Sequence, residues 1–118
     1  MAENGREIAR MAGRIADGKK AGDIVIYDVT GRSDLCDFIV LATVESRLQA
    51  AAITDEVYRE VKTTFRETPL GREESNETQW IVMDYVSTMV HLMSSEARDF
   101  YNIEGMWGDA PVIDHREA

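Results

Sequence analysis

The chain is poor in the residues that most often carry metal or redox chemistry. It has one cysteine, Cys36, among 118 residues, so an intramolecular disulfide is excluded, as suits a reducing compartment. Its two histidines, His91 and His115, lie far from each other in sequence, and with a single cysteine they make no ligand set with zinc spacing. No apolar run approaches the roughly 18 residues of a membrane span. The opening MAENGREIAR has neither the apolar core of a secretory signal nor the acid-poor, Arg-rich character of a transit peptide, so a cytoplasmic location is expected. Basic side chains are also scarce. Thirteen Lys and Arg against 22 Asp and Glu leave a net charge of −9. Such a chain is repelled by bare nucleic acid, whose affinity for proteins comes mostly from Lys and Arg. It is drawn toward a basic partner, although the same charge also serves plain solubility.

What is present is an ordinary core. Hydrophobic residues make up 44% of the chain, and its length suits one domain better than two. Asn4 with Glu7 has capping-box spacing, and Ile8, Met11, Ala12 and Ile15 continue at helical intervals up to Gly18. DIVIYDV, 23–29, reads as a fairly central strand, and CDFIVLAT, 36–43, as a second strand that can pair with it as a hairpin. Ser46 and Gln49 open the longest helix, whose stripe is Ala50, Ile53, Val57, Val61 and Phe65 and which ends by Thr68–Pro69. The polar stretch 70–79 offers at most a short edge strand. Ser94 or Ser95 caps a last helix with Ala97, Phe100, Tyr101 and Ile103 facing inward and Gly105 as its stop. The residues after Pro111 are expected to fray. The pattern predicts one α/β domain over 1–111 with a polar tail, 112–118. That domain has four or five strands, a main helix and two flanking ones.

WIVMDYVSTMVHLM, 80–93, is too long for one ordinary strand of about five or six residues. Two strands turning at Val86–Ser87 fit it better. The partners are then Tyr85 with Thr88, Asp84 with Met89, Met83 with Val90, Val82 with His91, Ile81 with Leu92, and Trp80 with Met93. Alternation sorts them into two faces. Ile81, Met83, Tyr85, Thr88, Val90 and Leu92 form a core face. Trp80, Val82, Asp84, Met89, His91 and Met93 form a mixed face whose aromatic and Met content is that of a protein–protein interface. The turn itself lacks the Gly, Asn or Asp that tight hairpins favour.

Two constellations could carry chemistry instead. Asp84 and His91 are diagonal neighbours in this register, about 7 Å apart, but no nucleophile accompanies them in sequence. Asp34 and Asp37 precede a strand, as metal-holding acidic pairs do in nucleotidyl-transfer enzymes. Three residues apart, however, they point to opposite faces of a strand, and no phosphate-cradling Gly loop comes before them. A turn Asp and a polar strand-start residue are the plainer reading, and a nucleotide-binding domain using that pair is the alternative. No cofactor or metal is expected.

KAGDIVIYDVTGRSDLCDFIVLAT, then SRLQ, then QWIVMDYVSTMVHLM, then EARDFYNIEGMWGDAP together resemble the Iojap-type ribosomal silencing factor family, in order from about Lys20 to Pro111. The resemblance implies a protein that is not an enzyme. It implies binding to the large ribosomal subunit through its fourteenth protein on the intersubunit face, a block to subunit joining, and lower translation when nutrients are short. It implies a mixed sheet flanked by helices, nucleotidyltransferase-like without the catalytic motif. The family's partner surface maps onto Trp80, Asp84, Tyr85 and His91, and the mixed face adds Met89 and Met93. A homodimer using the same face is the competing arrangement. Several family glycines are replaced here: Val86–Ser87 stands for Gly-Asp at the turn, Thr43–Val44 for Thr-Gly, Glu73–Glu74 for Glu-Gly, and Thr78 for a further Gly. Leu48–Gln49 stands for Arg-Gln, with Arg47 one place earlier.

Overall fold

In the computed structural model, residues 4–75 and 80–116 are described; residues 76–79, Thr78 among them, lie outside the described residues. The elements in order are α1 (Gly5–Gly18), β1 (Gly22–Asp28), β2 (Phe38–Thr43), α2 (Arg47–Phe65), β3 (Gly71–Ser75), β4 (Trp80–Asp84), β5 (Thr88–Met93), α3 (Ser95–Tyr101), α4 (Ile103–Met106) and β6 (Val112–Ile113). The six strands form one mixed sheet in the order β3-β4-β5-β2-β1-β6, with β2 and β5 parallel and the other neighbours antiparallel. The expected hairpins β1–β2 and β4–β5 both form, and the second has the register derived from its alternation, Trp80 opposite Met93 through Asp84 opposite Met89.

The sheet has one strand more than the four or five expected. The extra one is β6, where Val112 and Ile113 pair with Tyr27 and Ile26. Residues 112–113 therefore belong to the sheet instead of fraying. Ile113 is buried, and the His115 side chain packs against α1, with Nε2 3.2 Å from Asp17 Oδ2. The sequence around them is polar, so only the pairing reveals the strand. β1 is also less central than expected: β2 and β5 hold the middle, and β2 is the more buried strand.

Two layers cover the sheet. α1 and α2 press Ile8, Ala12, Ile53, Val57 and Val61 onto Val40, Met83, Val90 and Leu92. The opposite face carries a smaller core in which Ala97 and Ala110 meet Tyr27, Ile39, Leu41 and Met93. Each helix closes differently. Ser46 caps α2 as expected, its Oγ accepting the Gln49 N–H at 3.0 Å, while Gln49 Oε1 accepts the Glu45 N–H at 2.7 Å. Asn4 does not cap α1; its side chain instead donates to Glu67 Oε2 at 3.1 Å. Ser94 caps α3. That helix stops at Asn102, in the left-handed region at φ 46°, and not at Gly105.

The β4–β5 turn is built on Val86, which sits at φ 69°. A β-branched residue there costs about 1–2 kcal/mol. The Asp84 Oδ1 accepts the Val86 N–H at 2.8 Å and holds the turn closed. Ser87 and Thr88 lock it to the rest of the domain: Thr88 Oγ1 donates to Gly5 O at 2.8 Å, and Ser87 O accepts from Asp37 N and Phe38 N. Val86 itself is exposed, so little burial is lost if it changes. Val86→Asn, which tolerates this conformation, is expected to raise stability by about 0.5–1 kcal/mol. A urea midpoint that stays put or falls would refute this account of the turn.

Candidate functional site

The alternation of β4 and β5 brings Trp80, Val82, Asp84, Met89, His91 and Met93 to one sheet face, with Tyr85 on the other. Their burial then separates them. Trp80, Val82, Asp84 and Met89 are partly exposed. Met93 is fully buried, and His91 is only 7% exposed. The face is therefore not open along its length, because α3 and the segment after it cover the Met93 end. Tyr85 is a core residue. Burial pushes its phenol up to about 12, and its Oη finds no hydrogen-bond partner among the described residues. Tyr85 and Met93 are thus both buried within the domain.

His91 has a role the sequence did not suggest. The Trp80 indole Nε1–H donates to His91 Nδ1 at 3.0 Å. With Nδ1 accepting, the ring proton resides on Nε2. Burial holds the imidazole neutral by pushing its pKa down to about 4. His91 thus sets the orientation of Trp80 while remaining largely hidden. Asp84 has a dual position: one carboxylate oxygen closes the turn, and the group as a whole stays partly exposed beside Met89.

α3 and α4 contribute what the sequence reading missed. Tyr101 lies against Trp80, ring centroids 4.9 Å apart, and Phe100 meets Tyr101 edge-on at 4.9 Å. Both were expected to face inward, yet Phe100 is 80% exposed and Tyr101 is 40% exposed. The signal was available: adjacent helical residues point about 100° apart, so neighbouring aromatics cannot share one narrow inward stripe. Arg98 was also missed. It is buried and grips Glu104 with Nε to Oε1 at 2.8 Å and Nη2 to Oε2 at 3.0 Å, while Nη1 donates to Thr43 Oγ1 at 2.9 Å. This clamp fastens both short helices to the end of β2.

The alternative pair lies at the loop that leads into β2. Asp34 is exposed in the β1–β2 loop, and Asp37 engages the β4–β5 turn through its backbone N–H. Among the described residues no three of His, Cys, Asp and Glu come together as a metal site. Burial pushes the Cys36 thiol up to about 11, which keeps it protonated and unreactive at neutral pH. Two hollows of about 470 and 420 Å³ open elsewhere, and neither is lined by Trp80, Asp84 or Met89. The Trp80 face carries aromatic, thioether and carboxylate groups, the composition of a protein-contact surface.

Comparison with known proteins gives the family and the fold. A family model described as "Ribosomal silencing factor during starvation" matches residues 2–118. The chain is 38% identical over 91 residues to ribosomal silencing factor RsfS of Haemophilus influenzae, covering 77% of this chain and 88% of that one. It is 36% identical over 114 residues to RsfS of Treponema pallidum, covering 95% and 98%. A crystal structure of a Chromobacterium violaceum protein superposes with a TM-score of 0.79 at 28% identity, covering 87% of this chain and 85% of that one. A match that runs through nearly every residue of the chain, and through both the β4–β5 hairpin and the α3–α4 clamp, means that this protein belongs to the ribosomal silencing factor family.

Proposed function

We propose that this protein binds the large ribosomal subunit through the fourteenth large-subunit protein, using the exposed part of the Trp80–Asp84–Met89 face. Occupying that intersubunit surface keeps the small subunit from joining and lowers translation when nutrients are scarce. The observation that carries the reading is Trp80, a large aromatic that stays partly exposed while its indole N–H bonds a buried His91. Trp80 packs partly against the smaller core, and an indole that still keeps an edge in water is the kind of side chain that, with Tyr and Arg, most often anchors an interface. The net charge of −9 complements a basic ribosomal protein and favours rapid, oriented encounter. The kinship of the fold with nucleotidyltransferases belongs to the same reading: an inherited sheet whose working surface is now a docking face.

Co-sedimentation with purified large subunits tests the proposal. Wild-type protein is expected to pellet with them at low and moderate salt, and Trp80→Ala to weaken binding by about 2 kcal/mol. Wild-type protein left in the supernatant, or a Trp80 variant that binds equally, defeats the reading. A subunit-joining assay then separates binding from silencing.

A further inference from the structure

The rings of Trp80, Tyr101 and Phe100 form a ladder that leads away from the hairpin and out over α3. Successive centroids are 4.9 Å apart, and the outermost ring is 80% exposed. Phe100 belongs to neither hydrophobic cluster, so its ring does not serve the core. The exposed charges of α3 itself are one-sided. α3 carries Glu96 and Asp99 on its exposed surface. Its single base, Arg98, is buried and closed on Glu104. An aromatic face in water beside carboxylates that have no ion-pair partner among the described residues is the environment in which a guanidinium or ammonium group is held, by the ring quadrupole and by charge together.

We infer that Phe100 and Tyr101 form a second contact, continuous with Trp80, that receives an Arg or Lys side chain of the basic ribosomal partner. The inference rests on the docking face proposed above and assigns it a further pocket and a partner chemistry. A purely apolar contact would not need the flanking acids. A second copy of this chain is a poorer occupant, because its own α3 would bring Glu96 and Asp99 against the same charges.

The test uses the full chain and purified large subunits, with affinities from co-sedimentation titrations. Phe100→Ala is expected to weaken binding about tenfold. Phe100→Leu, which keeps apolar area but no π face, is expected to weaken it nearly as much, and Phe100→Trp to retain it. Leu48→Ala, at an 85% exposed position on α2, serves as the surface control and leaves affinity unchanged. Because Phe100 is exposed, its variants should keep the wild-type urea midpoint. If Phe100→Ala binds normally while Trp80→Ala does not, the ladder is overturned and the docking face stands. If Phe100→Leu binds like wild type, the cation is overturned. If light scattering shows a dimer that Phe100→Ala dissolves, the occupant is a second copy and the inference is wrong. Wild-type protein that fails to bind large subunits removes both the face and the ladder.

Discussion

Replacing Glu104 by Ala is expected to lower the unfolding free energy by about 3 kcal/mol. The Arg98 side chain is 7% exposed, and Glu104 supplies both of its carboxylate bonds. Removing the acid leaves a buried guanidinium whose remaining bond runs to a neutral hydroxyl, Thr43 Oγ1. Arg98→Met should cost less. It removes the buried charge itself and leaves a carboxylate that is already 37% exposed and can hydrate. The pH dependence has a definite sign. The hydrogen bonds from Arg98 hold the Glu104 carboxyl below its ordinary value of 4.5. The stabilisation is therefore fully present above that value and disappears as pH falls through the lowered one. Urea unfolding of wild type and Glu104→Ala should differ at pH 7 and converge in acid. A constant difference across that range would show that the ion pair is not its source.

His91→Ala is expected to destabilise by a similar amount, about 3 kcal/mol, from the cavity left by a buried ring and the unpaired indole N–H of Trp80. His91→Asn can return an acceptor near the position of Nδ1 and should recover much of the loss. In the folded protein the pKa of His91 is about 4, against an ordinary 6.5. The unfolded chain therefore takes up a proton that the folded one refuses. Wild-type stability should fall as pH drops from about 6.5 toward 4, by at most about 1.4 kcal/mol per unit. The Asn variant should lack that slope. The Trp80 indole proton offers an independent readout by NMR: protected from exchange in wild type and Asn, exposed in Ala. If Ala leaves that proton protected, Trp80 is held by something other than His91.

The β4–β5 hairpin shows how far sequence reasoning reached. Its register was legible because side chains alternate with a period of two, and a one-residue slip would have turned Met83, or Val90 and Leu92, away from the α1–α2 core. The α2 stripe and its Ser46 cap were legible for the same kind of local reason. The turn residue Val86 was legible only as a departure. Nothing in its neighbours announced that Asp84 would close the loop around a positive φ.

Alternation could say that Asp84, Met89, His91 and Met93 share a face, but not which of them meets water. That depended on where α3 and α4 settled, and their position is set by Arg98 reaching across 55 residues to Thr43 and by Asn102 turning the chain. The same long-range packing buried His91 and Met93, left Phe100 outside, and drew Val112–Ile113 into the sheet. The sequence by itself determined the α/β class, the hairpin, the excess of acid and the family. Which side chains form the working surface was decided by tertiary structure alone, because burial is a property of what lies above a residue and periodicity describes only what lies beside it.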